Sequence, residues 1–172
     1  MADPQPDLAF QLADRLLGHI LDRLAAADAT PGRAFVCAER TIPADDCCDG
    51  LVWTRVASIV PTNGDVAQDR SIRPAGDLPV GHAIRLEAGH LRCAPSPVDE
   101  GGAPPDPAEY TASAITSSVD RAAVRYAIEC DLPADLLELQ CDAQVVDQWA
   151  PLNAAGCAGG FITTSIVVTM VN

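Results

Sequence analysis

FITTSIVVTMV, residues Phe161 to Val171, is dominated by β-branched side chains, and such a run reads as a strand. Just upstream, Ala143 to Leu152 (AQVVDQWAPL) supplies a second arm, and Asn153 to Gly160 (NAAGCAGG) between them is rich in turn formers. The spacing predicts a C-terminal β-hairpin. Further back, His82 to Cys93 (HAIRLEAGHLRC) alternates Ile84, Leu86 and Ala88 with Arg85 and Glu87, the pattern of a strand with one face buried. Leu51 to Val60 (LVWTRVASIV) is another strand, stopped by Pro61, and Arg33 to Glu39 (RAFVCAE) is a shorter one.

Two long helices flank these strands. Asp7 can cap the first, in which Leu8, Leu12, Leu16, Ile20 and Leu24 recur every four residues and Leu17 and Leu21 widen the stripe. Thr30-Pro31-Gly32 ends it. Asp106-Pro107-Ala108-Glu109 opens the second, with a capping carboxylate, Pro at the first helical position and Glu completing a capping box. Its apolar stripe is Ile115, Val119, Ala122 and Tyr126. It is expected to reach about Glu129, to break at Asp131-Leu132-Pro133, and to be followed by a short helix from Ala134 to Gln140.

This order predicts an α+β fold: a mostly antiparallel sheet with two long helices packed on one face and a C-terminal β-hairpin. The chain reads as one domain over residues 1–172, with long loops at 61–80 and 94–106. No internal repeat is visible.

Charge narrows the function. The 172 residues carry 24 acidic side chains against 11 basic ones, a formal net charge of −13, which argues against a protein that grips phosphate backbones. The 48% hydrophobic content is that of a globular chain with a real core. No apolar run approaches the ~18–20 residues of a membrane span, and Met1 to Asp7 has no basic region, so neither membrane insertion nor an export signal is expected. Every basic residue is arginine and alanine occurs 29 times, the residue usage of a G+C-rich coding sequence.

The residues that could carry chemistry are scattered. Seven cysteines, Cys37, Cys47, Cys48, Cys93, Cys130, Cys141 and Cys157, make an odd and irregular set without a Cys-x-x-Cys pair. The expectation is buried, reduced thiols, with a disulfide closing the loop near Cys47 as the alternative. No metal and no cofactor are expected, because adjacent cysteines rarely ligate one ion and zinc would need ligands from distant places. His19, His82 and His90 do not form a catalytic set: His82 and His90 share a strand face but lie about 26 Å apart at strand rise. No nucleophile elbow, phosphate loop or zinc-protease motif is present, and Gly156 to Gly160 joins two strands rather than opening a helix. No enzyme is expected. Asp45, Asp46 and Asp49 lack calcium-loop spacing and read as a solvated acidic loop.

Three stretches nevertheless form a pattern. Cys47-Cys48-Asp49-Gly50-Leu51-Val52-Trp53-Thr54-Arg55-Val56 follows a leading amphipathic helix; Leu91-Arg92-Cys93-Ala94-Pro95-Ser96-Pro97 closes a strand; and Trp149-Ala150-Pro151-Leu152 precedes Gly156-Cys157-Ala158-Gly159-Gly160-Phe161. Over residues 8–171 this resembles the tail terminator, or head-to-tail connector, family of neck proteins in long-tailed bacteriophages of actinobacteria. Phe161 stands where the family pattern has Trp.

The resemblance implies a non-enzymatic structural protein of the virion neck, assembled in the host cytoplasm. It would form a ring, a hexamer, of copies of itself that caps the tail tube and joins it to the head connector or adaptor ring. DNA would pass through its lumen without specific binding, and no membrane would be involved. Asp45 and Asp46 of the acidic loop and Arg70 and Arg73 of the first long loop are the candidate assembly contacts. The alternatives are another neck component, a head-completion adaptor or stopper, or a small-ligand or metal-binding α+β domain.

Overall fold

The computed structural model of the protein describes residues 7–39, 41–44, 46–62, 81–96, 104–139, 141, 143–154 and 156–169. Helix α1 (Leu8–Ala26) starts where Asp7 accepts a hydrogen bond from the Phe10 amide at 2.8 Å. Strands β1 (Arg33–Cys37), β2 (Leu51–Thr62) and β3 (Gly81–Cys93) follow, then helices α2 (Pro107–Tyr126) and α3 (Leu132–Glu138), and strands β4 (Ala143–Val146), β5 (Ala150–Ala154) and β6 (Cys157–Thr169).

The six strands make one mixed sheet in the order β1-β2-β3-β6-β4, with β5 also paired to β6. The fold is α+β as expected, but the sheet is not purely antiparallel: β1 runs parallel to β2, with Phe35 opposite Trp53. Parallel neighbours need a crossover of about a dozen residues. The connection from Cys37 to Leu51 supplies it, and its Ile42, Ala44 and Cys47 pack on the sheet face away from the helices.

The expected hairpin is also modified. β5 and β6 form one, with Ala154 opposite Cys157, whereas the rest of the upstream arm is a separate strand, β4, paired further along β6. Residues 147–149 break the arm in two. Cys157 to Gly160 belong to β6 rather than to a turn. A side chain on Gly160 would collide with the Ala150 carbonyl and the Trp149 ring, so glycine is what lets the broken arm lie against β6.

The expected end of β2 is revised too, since it runs through Pro61 to Thr62. β1 pairs only as far as Arg55, so beyond that point β2 has no described neighbour on that side and tolerates a residue without an N–H. Residues 63–80 and 97–103 of the two long loops lie outside the described residues.

Both long helices pack on one face. The main core joins Leu12, Leu16, Ile20 and Leu24 of α1 to Ile84, Leu86 and Ala88 of β3, Ile162 and Ile166 of β6, and Val124 of α2. The Thr54 hydroxyl donates to the Ala13 carbonyl at 2.8 Å, seating α1 on β2.

The second helix differs most from expectation. Asp106 caps it through the Ala108 amide at 2.8 Å, but the side it buries is Asp120, Ala123 and Val124. Ile115, Ala122 and Tyr126 of the expected stripe face solvent, with Ile115 61% exposed. Nor does the helix break before Pro133. It passes through a π-helical turn, Ala127–Asp131, into α3. Pro133 cannot donate an amide hydrogen bond, and a wider turn placed just before it accommodates that loss. The Gln144 amide donates to the Ile128 carbonyl of this turn at 3.1 Å. Arg15 and His19 of α1 meet Asp135, and Arg23 meets Asp131, tying the first helix to this segment.

Candidate functional site

One end of the sheet collects most of the unusual side chains. On the face away from the helices, the β1–β2 crossover ends in the turn Cys47-Cys48-Asp49-Gly50. There the Gly50 amide donates to the Cys47 carbonyl at 2.9 Å, and Gly50 takes a φ of 87° that favours glycine. The Gly32 amide donates to Asp49 at 2.8 Å, fastening the turn beside β1.

Beneath the crossover lies a second, smaller core of Cys47, Leu51, Trp53, Leu91 and Cys157, edged by Ile42, Ala44, Leu152 and Phe161. Trp53 is fully buried, and its indole N–H donates to Glu87 at 3.2 Å. Arg55 pairs with the other oxygen of the same carboxylate at 2.7 Å.

The turn is clasped to the strands. Cys47 is bonded to Cys157, with Cα atoms 6.2 Å apart, and Cys48 to Cys93, with Cα atoms 4.4 Å apart. Cys93 and Cys157 face each other across β3 and β6. The expectation of buried, reduced thiols is thereby corrected, and the alternative, a disulfide closing the loop near Cys47, is what the fold holds. Four of the seven are neither reduced nor dispersed; the fold draws two from one turn and two from adjoining strand ends. Cys37, Cys130 and Cys141 are not in disulfides.

The helical face of the same sheet end carries a polar cluster. Arg92 grips Asp120 of α2 with two hydrogen bonds, the longer at 2.9 Å, and also donates to the Ala29 carbonyl at 3.2 Å. His90 is buried and stacks on Trp149 with ring centroids 5.2 Å apart. Its Nε2 lies 3.1 Å from the Ser117 hydroxyl, while Nδ1 has no hydrogen-bond partner among the described residues.

Burial is the main force on this ring and lowers its pKa from 6.5 to about 4, partly opposed by Asp120. A histidine held neutral when folded binds fewer protons than when unfolded between those two values, so stability rises with pH across that window. We expect stability to be full above pH 6.5 and to fall by about 3 kcal/mol as the pH drops to 4, judged from this shift. Urea titrations of the parent and of His90→Gln across this range would check it: the variant should lose most of the slope, and an unchanged slope would assign the effect to other groups.

A cleft of about 600 Å³ opens beside this cluster, lined by Arg121, Ala122 and Arg125 of α2 and by Asp147 and Trp149 at the break between β4 and β5. Of the expected assembly contacts, Asp46 is exposed at the rim of the clasped turn. Asp45, Arg70 and Arg73 lie outside the described residues. The cysteine connectivity and the Arg92–Asp120 and His90–Trp149 contacts were not anticipated. No family model and no curated protein matches this chain.

Proposed function

We propose that this protein is a structural component of a phage neck, a ring that caps the tail tube and joins it to the head connector, with six copies per ring. One observation carries the reading. The three stretches that resemble the tail terminator family are far apart in the chain, yet the fold brings them to one end of the sheet. Cys47 meets Cys157 across a sequence separation of 110, Cys48 meets Cys93, and Trp149 covers His90. Residues that work as a unit in space are what a shared architecture preserves.

Two further features support it. Among the described residues Arg15, Arg23, Arg55, Arg85, Arg92 and Arg125 each have a carboxylate partner, which weakens the pull of these six cations on phosphate. The stripe of α2 that bears Ile115 and Tyr126 faces solvent, as a subunit contact would before assembly.

Duplex DNA should therefore show no retardation by this protein in a gel-shift titration at low ionic strength. Tight binding that is lost in an Arg70→Glu/Arg73→Glu double variant would make the first long loop a DNA grip and contradict passive passage. Gold-labelled antibody against the protein should mark the junction of head and tail in virions; label on the capsid shell or the tail tip would refute the reading.

A further inference from the structure

The geometry points to a zinc site: in the reduced protein, Cys47, Cys48, Cys93 and Cys157 hold one Zn²⁺ as a tetrahedral four-thiolate centre. Zinc accepts four sulfur ligands at about 2.3 Å, which places the sulfurs roughly 3.8 Å from one another. The Sγ atoms of Cys47, Cys48 and Cys93 already lie within 4.8 Å of one another, and that of Cys157 is bonded to Cys47. Opening each disulfide to the spacing of a zinc centre requires its sulfurs to part by about 2 Å, a change of the size of a side-chain rotation.

The backbone is arranged for this. Two ligands come from the tight turn closed by the Gly50 amide on the Cys47 carbonyl. The other two come from Cys93 and Cys157, directly opposite each other on neighbouring antiparallel strands. Opposed residues of such a pair carry their side chains on one side of the sheet, about 5 Å apart at Cβ. A turn facing a strand pair thus brings sulfurs from both sides together, three of them within 4.8 Å of one another, with the fourth, of Cys157, reached through its bond to Cys47. Cys47 and Cys157 are buried while Cys48 and Cys93 are exposed, so an ion can enter from solvent and end against the small core.

The disulfide and zinc forms use the same sulfurs and exclude each other. Two molecules of a dithiol reductant deliver four electrons and four protons to the two disulfides, becoming cyclic disulfides themselves and leaving four protein thiols. Zinc then displaces four protons and forms four Zn–S bonds. In a reducing compartment the thiol form is the one that meets the metal.

The test uses the full chain, reduced with dithiol and freed of reductant under anaerobic conditions, then titrated with Co²⁺ and afterwards with Zn²⁺. The expected result is one cobalt per chain, with strong near-ultraviolet thiolate-to-cobalt charge transfer and the visible bands of tetrahedral cobalt, bleached by an equal amount of zinc. The Cys48→Ser/Cys93→Ser variant should bind at least about 100-fold more weakly, since loss of a direct ligand exceeds the 10–100-fold cost of losing an outer partner. A Cys130→Ser/Cys141→Ser control should bind like the parent. If the reduced chain loses its fold without metal, zinc should restore the circular dichroism of the parent. A reduced chain that takes up no cobalt, one whose uptake is unchanged by Cys48→Ser/Cys93→Ser, or an unfolded one that zinc does not restore would each overturn the assignment.

Discussion

Oxidised protein carrying Cys157→Ser should be less stable than the parent by about 4 kcal/mol. The bond it removes joins residues 110 apart in sequence, and the Cys48–Cys93 bond shortens the path around that loop to about 65 residues. Closing a loop of about that size removes roughly 4 kcal/mol of chain entropy from the unfolded state. The bond also pins the β1–β2 crossover over Trp53, so the variant should expose this indole and red-shift its fluorescence before global unfolding. Guanidinium titrations followed by fluorescence and circular dichroism would measure both. Equal stability of parent and variant would mean that the smaller core holds the crossover unaided.

A second large effect is expected at Asp120, whose side chain is 1% exposed and meets Arg92, itself 19% exposed. Removing one partner of a buried ion pair strands the other charge and typically costs about 3–5 kcal/mol. Asp120→Ala should fall in that range. The double variant Asp120→Leu/Arg92→Met should recover most of the loss, because replacing both charges with apolar groups removes the desolvation penalty as well as the attraction. A double variant as unstable as Asp120→Ala would show that Arg92 acts chiefly through its bond to the Ala29 carbonyl.

What the sequence disclosed follows from how local each signal is. The stripe of α1 and the Asp106-Pro107 start of α2 are short-range features, and both stand in the structure where they were expected. The face α2 buries was not legible, because the helix has apolar residues on two sides and only the sheet decides between them. Its core side uses Ala123, Val124 and an ion-paired Asp120, which hydrophobic periodicity cannot select. The parallel pairing of β1 with β2 was hidden for a similar reason. The crossover has the length of an ordinary loop, and nothing in its composition says that it passes over the sheet rather than turning back.

The cysteines illustrate the same limit. Spacing along the chain does not give connectivity. Cys93 and Cys157 become neighbours only through the β3–β6 register, and Cys47 and Cys48 reach them only because the crossover lies over that end. The polar cluster on the other face depends on the same register, since His90 and Arg92 reach α2 from the β3 positions flanking Leu91. The part of the site with a sequence signature, the Cys47-Cys48-Asp49-Gly50 turn, is also the part whose geometry is local.

The proposal of a neck ring is tested most directly by electron microscopy of the purified protein mixed with isolated tail tubes. The account predicts a closed ring of six subunits seated on one end of each tube, with no filaments or labelled side walls. Tube ends that stay bare at saturating protein, together with a neck that lacks this chain in assembled virions, would contradict it.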